Sequence, residues 1–163
     1  MTMWLAVKLP LMIDSSLLGP MFVRLILAAI FGALLGLERT IAGKHAGLRT
    51  YALVSLGSAL FIIISELVIK NYSATPPIAL DPLRIASQVV MGIGFLGAGL
   101  IIFKESKISG LTTAAGLWVA AGIGVATGFG LIALAGFATV LALIIFTLFW
   151  LFEKRFKIWP HEN

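Results

Sequence analysis

Cysteine is absent from the 163 residues, and histidine occurs only at His45 and His161. The first absence excludes disulfides, thiolate chemistry and cysteine metal sites, and two histidines are too few for a histidine cluster. Charge is scarce as well, at 12% of residues, of which only seven are acidic. A soluble core of this size needs a polar shell that so few charges cannot supply. The opening residues contain no compact basic segment followed by a small-residue cleavage site, so a removable signal peptide is not expected.

What is present is apolar surface. Hydrophobic residues make up 60% of the chain, and mean hydropathy is +1.08. The charges fall in short clusters between runs long enough to cross a hydrocarbon layer of about 30 Å. Five spans follow, at roughly 17–37, 51–69, 82–103, 111–127 and 130–152. Each is expected to be helical, because lipid-exposed backbone must satisfy its own hydrogen bonds. The fold expected is an all-α, polytopic membrane bundle forming a single integral membrane domain over 1–163. The last two spans should form a tight antiparallel hairpin through Thr127-Gly128-Phe129-Gly130.

The net charge of +5 does not point to nucleic acid, because the basic residues flank the spans and form no separate basic surface. Arg39, Lys44, Arg49, Lys104, Lys107, Lys154, Arg155 and Lys157 fall on one side of the membrane. Lys8, Arg24, Lys70 and Arg84 fall on the other. The positive-inside rule then puts the N-terminus outside and the C-terminus in the cytoplasm. The connection 71–80, with Pro76-Pro77, reads as the main external loop.

Glycine is plentiful, and GIGFLG (Gly92 to Gly97) matches a dinucleotide-binding fingerprint. That fingerprint needs a preceding strand, a following amphipathic helix and an acidic residue about 20 positions on. Here the glycines sit within an uncharged membrane run, and 111–121 holds no Asp or Glu, so nucleotide binding is excluded. Helix packing is the better reading for Gly32 and Gly36, for Gly92, Gly94, Gly97 and Gly99, and for the row Gly116, Ala120, Gly124 and Gly128. In lipid, close backbone approach supplies much of the cohesion between helices. A lining that leaves room for a solute is the alternative.

Steps of three or four join Asp81, Arg84, Gln88, Gly92, Phe95 and Gly99 on one stripe of the third span. This suggests a polar vestibule leading into a narrow, glycine-lined seam. Equally, Asp81 can cap the helix, Pro82 occupy its first turn and Arg84 reach the headgroups. Gly32 to Arg39 followed by Gly47 to Thr50 is echoed by Gly97 to Lys104 followed by Gly110 to Thr113. The echo permits a parallel repeat of two hairpins plus a fifth helix; chance similarity between glycine-rich helices is the other reading.

Three passages together resemble the membrane domain of the MgtC/SapB family: LGLERTIAGKHAGLRTYALVSLGSALF from Leu35, DPLRIASQVVMGIGFLGAGLI from Asp81, and GLTTAAGLWVAAGIGVATGFG from Gly110. The likeness runs from about Val23 to Phe152, and order, spacing and loop polarity agree. It implies a multi-pass protein of the bacterial inner (cytoplasmic) membrane, associated in some members with growth under magnesium limitation and with virulence. Virulence-linked members resemble regulators, including of the proton-translocating ATP synthase, more than Mg²⁺ carriers. Many members add a cytoplasmic ACT-like domain, whereas this chain is expected to be the membrane domain only. The family motifs fall here on Glu38, Arg39, Gly47, Leu48, Arg49 and Thr50, on Asp81, Pro82, Arg84, Gln88 and the glycines after them, and on Gly110, Leu111, Thr112, Thr113 and Trp118.

Glu38, Arg39, Arg49 and Thr50 are expected at the inner ends of the first two helices, as a polar cluster or as a positive-inside anchor. With Asp81, Arg84, Gln88, Thr112 and Thr113 they make up the candidate functional polar residues. The primary expectation is a regulator acting through helix contacts, with the bilayer and a second copy or another membrane protein as partners. The alternative is a small oligomeric transporter or channel for an ion or small solute. Glu38, Glu66 and Asp81 are too few for an intramembrane Mg²⁺ cage within one chain, which leaves direct Mg²⁺ binding open. No catalytic group, metal ligand set or cofactor is expected.

Overall fold

The computed structural model describes residues 15–72, 81–104 and 107–156. The loop containing Pro76-Pro77 lies outside them. Five helices dominate: α1 (Ser15–Ile41), α2 (Leu48–Tyr72), α3 (Pro82–Leu100), α4 (Leu111–Gly128) and α5 (Ile132–Phe156). Each contains an apolar segment long enough to cross a membrane, from 18 residues in α3 and α4 to 24 in α1. At 1.5 Å per residue an 18-residue segment covers about 27 Å, at the short end of what spans a hydrocarbon core. The chain is an all-α polytopic bundle.

The helix ends follow from local chemistry. α1 runs on to Ile41, and its Thr40 hydroxyl donates to the Gly36 carbonyl at 2.9 Å while accepting from Leu48 N–H at 3.0 Å. That second bond satisfies one of the free donors that every helix start exposes. Asp81 caps α3 by accepting from Leu83 N–H at 2.9 Å, with Pro82 in the first turn. Gly130, at φ +80°, turns the chain from α4 into α5.

α3 ends at Leu100, earlier than the expected span to 103. A two-stranded antiparallel hairpin follows, β1 (Ile102–Lys104) with β2 (Lys107–Ser109), pairing Phe103 with Ile108. Ile102 and Phe103 continue the apolar run and suit a strand as well as a helix end, so hydropathy does not mark the change. Gly110 closes the hairpin at φ +87°, and a Cβ there would lie 3.0 Å from the Leu100 carbonyl carbon. The end of α3 and the start of α4 thus abut.

α4 is the centre of the bundle and packs against each of the other four helices. Half of its membrane segment is buried, against 6% for α3. Its small residues Gly116, Ala120, Gly124 and Gly128 are all buried. α3 lies at the edge, touching α2 and α4. Its inward side consists of Ala86, Val89, Ile93, Gly97 and Leu100, which alone on this helix are buried or half-buried among the described side chains. The two echoed segments share a contact: a Cβ on Gly32 would meet the Tyr51 carbonyl at 2.5 Å, and one on Gly97 would meet the Ala114 methyl at 3.8 Å. Both pairs join the first glycine of the echo to the residue just after its second part.

Candidate functional site

Polar side chains gather at the two ends of the bundle. At the end carrying the 42–47 connection, α1 delivers Glu38 and Arg39, α2 delivers Tyr51, α4 delivers Thr113 and α5 delivers Phe146. Arg39 is only 3% exposed. Its Nε donates to Glu38 Oε2 in an ion pair, and its guanidinium carbon sits 3.9 Å from the centroid of the Phe146 ring. A charge at this burial is tolerable because both a carboxylate and an aromatic face compensate it. Beside it the Tyr51 hydroxyl, fully buried, donates to the Thr113 carbonyl at 3.0 Å. Gly116 makes the room: a Cβ there would stand 2.5 Å from the Tyr51 oxygen and 2.7 Å from Phe146 Cζ.

At the opposite end Arg24 of α1 ties three elements together. Its Nη1 donates to Glu66 Oε2 of α2 at 2.8 Å and to the Gly128 carbonyl of α4 at 3.1 Å. A Cβ on Gly130 would press on the same guanidinium at 3.2 Å. This carbonyl belongs to the last turn of α4, where the helix leaves acceptors free and favours a cation.

Between the two ends the seam is tight. Ser55 of α2 stands where α1 and α4 cross it. A Cβ on Gly32 would lie 2.7 Å from Ser55 Cβ, and one on Gly124 would lie 2.8 Å from the Ser55 carbonyl carbon. Ser55 Oγ is the one buried side-chain polar atom without a hydrogen-bond partner among the described residues. Ser58, Thr127 and Thr139 instead donate to the carbonyls of Val54, Ile123 and Ala135, each at 2.7 to 2.8 Å. This back-bonding to the preceding turn is the usual outlet for hydroxyls in helices.

The structure therefore brings together Glu38 and Arg39, with Thr113 contributing its carbonyl nearby. Arg49, Thr50 and Thr112 are exposed and stand outside this cluster. Gly32, Gly36, Gly116 and Gly124 face backbone or side chains of neighbouring helices at contact distance. The expected vestibule of the third span is not an interior feature. Asp81, Arg84, Gln88, Gly92, Phe95 and Gly99 all face away from the bundle, and nothing lies within 4 Å of a Cβ at Gly92, Gly94 or Gly99. Of the α3 glycines only Gly97 packs within the chain, because the inward side is the one set by Ala86, Val89 and Ile93.

Tyr51, Phe146 and the Arg24–Glu66 pair escaped the sequence reading. A signal for the pair exists: Arg24 lies 17 positions before the last residue of α1 and Glu66 lies 18 after the first of α2. In an antiparallel hairpin those positions share a depth, and opposite charges inside apolar runs need partners. Nothing in the spacing singles out Phe146.

The MgtC family model matches residues 25–155. The chain belongs to the MgtC family. YhiD of Escherichia coli K12, named as a candidate magnesium transporter, is 52% identical over 93 residues, which cover 57% of this chain and 43% of YhiD. MgtC of Salmonella typhimurium LT2 is 45% identical over 102 residues, covering 63% of this chain and 40% of MgtC. An uncharacterized protein of Haemophilus influenzae is 42% identical over 96 residues, covering 58% and 40%. The match thus spans about two fifths of the length of these curated relatives. No solved structure matches the chain. It is a membrane protein of the MgtC/SapB type, a family linked to magnesium homeostasis.

Proposed function

We propose that this MgtC-family chain is a regulatory protein of the bacterial inner membrane, with its N-terminus outside and its C-terminus in the cytoplasm. It serves adaptation to magnesium limitation, or ion homeostasis more broadly, through helix contacts with membrane partners. The observation that carries this reading is the state of the interior. Glu38 and Glu66, the acidic side chains within the described spans, are each bound to an arginine. Mg²⁺ requires six oxygen ligands in near-ideal geometry, and carboxylates neutralised in this way are poor donors for it. The α1–α2–α4 crossing is closed by glycine contacts at Ser55. The proposal requires no catalytic group. Deletion of the gene tests it: growth under magnesium limitation, ATP level or membrane potential should change, and no change in any of the three removes the reading.

One observation favours a second reading, a small oligomeric transporter. Asp81, Arg84 and Gln88 face outward on α3, where several copies together could enclose a polar path. Ion flux through the purified protein in liposomes, compared with Asp81→Asn, separates the two.

A further inference from the structure

The outward face of α3 is polar and uneven where lipid favours neither. α3 has the second-lowest hydropathy of the five spans, and only 6% of its membrane segment is buried within the chain. Gln88 lies about two turns inside the helix and is exposed, with Arg84 one turn above it and Asp81 at the cap. Neither Asp81 nor Arg84 forms an ion pair among the described residues. Further along the same line Phe95 stands 82% exposed, between Gly92 and Gly99, where nothing lies within 4 Å of a would-be Cβ. Against hydrocarbon the Gln88 amide has no partner and loses its hydration.

We propose that this face binds a second copy of the chain, α3 against α3. The occupant is chosen by self-complementarity. Two copies inserted the same way are related by a two-fold axis along the membrane normal, so their α3 helices run parallel and equivalent residues meet at equal depth. A two-fold contact requires that if residue i meets j, then j meets i. Arg84 and Asp81 satisfy this: each arginine reaches the aspartate of the other copy, giving two ion pairs, while Asp81 Oδ1 keeps its cap. Gln88 satisfies it alone, because an amide carries both donors and an acceptor and can pair with its own equivalent. The Phe95 rings meet in the space that Gly92 and Gly99 leave open. The 4-3-4 spacing of Gln88, Gly92, Phe95 and Gly99 is the seam spacing of parallel helix pairs.

The absence of cysteine from the chain supplies the experiment. Single substitutions Gln88→Cys, Gly92→Cys, Phe95→Cys and Gly99→Cys in the full chain, oxidised in native membranes, should give disulfide-linked dimers. Val90→Cys, at similar depth but on another lipid-facing side of α3, should give several-fold less. Adding Gln88→Leu to Phe95→Cys should lower the dimer yield several-fold. Equal yields at Val90, or an unchanged yield with Gln88→Leu, overturn the proposal. So does failure of the four positions to dimerise. In that case protection of the four thiols from a membrane-permeant maleimide assigns the face to a different protein, and free reaction assigns it to lipid. This readout is separate from the growth and ATP measurements above, so either proposal can fall without the other.

Discussion

Arg39 shows how a charge is held inside this bundle. Its guanidinium lies over Phe146 and pairs with Glu38, with almost no solvent contact. The pair is weak evidence for net stability, but breaking it is costly, because one uncompensated charge remains. Glu38→Ala should therefore lower stability by about 3–5 kcal/mol, and adding Arg39→Met should restore much of that loss. Thermal unfolding in detergent micelles reads both; a double variant as unstable as Glu38→Ala would contradict the account. Ser55 makes the opposite case. Its buried hydroxyl has no partner, so Ser55→Ala forfeits no hydrogen bond and removes a desolvation penalty of about 1–3 kcal/mol. The same unfolding assay should find it neutral or more stable, and a clear loss would show that the hydroxyl is bonded after all. Part of this was legible in the sequence: Glu38 and Arg39 stood out as charges at a helix end. Their neighbours did not, because Tyr51 and Phe146 are apolar enough to vanish into a hydrophobic run, and only the three-dimensional crossing of α1, α2, α4 and α5 assembles them.

Among the elements, α4 and α3 contrast most. Both are glycine-rich and of similar length, yet one is the hub and the other the edge. Gly124 and Gly122 test what separates them at the level of single positions. A Cβ at Gly124 would collide with the Ser55 backbone, whereas Gly122 is exposed with nothing within 4 Å. Gly124→Ala should destabilise by about 1–3 kcal/mol through overpacking. Gly122→Ala should be neutral or gain up to about 1 kcal/mol, the helix-propensity difference between the two residues. Unfolding midpoints of the two variants, measured side by side, check the contrast, and equal midpoints would contradict it. The five helices themselves were readable, since long apolar runs leave few alternatives in lipid. The direction α3 faces was not. Its polar and small stripe suggested an interior lining, but the structure turns it outward, and periodicity cannot tell an inward stripe from an outward one. The early stop of α3 at Leu100 was hidden for a related reason: Ile101, Ile102 and Phe103 continue the apolar run of the helix into the first strand of the hairpin.

At the scale of the whole molecule, polar groups are concentrated at the two ends and closed small-residue seams lie between them. Glu38–Arg39 and Arg24–Glu66 sit at opposite ends of the α1–α2 hairpin; the first pair lies within α1 and lets Arg39 rest on Phe146 of α5, and the second joins α1 to α2. The proposed reading rests on this arrangement: a membrane body that presents surfaces to partners needs no site that opens to both sides, as a carrier does. Family membership, legible from three long motifs, carries the link to magnesium but not its mechanism. The most direct test of the central claim is Mg²⁺ movement in liposomes containing the purified full chain at defined density. The account predicts flux no higher than in protein-free vesicles. Flux above that level that falls in Asp81→Asn would contradict it and establish a transporter.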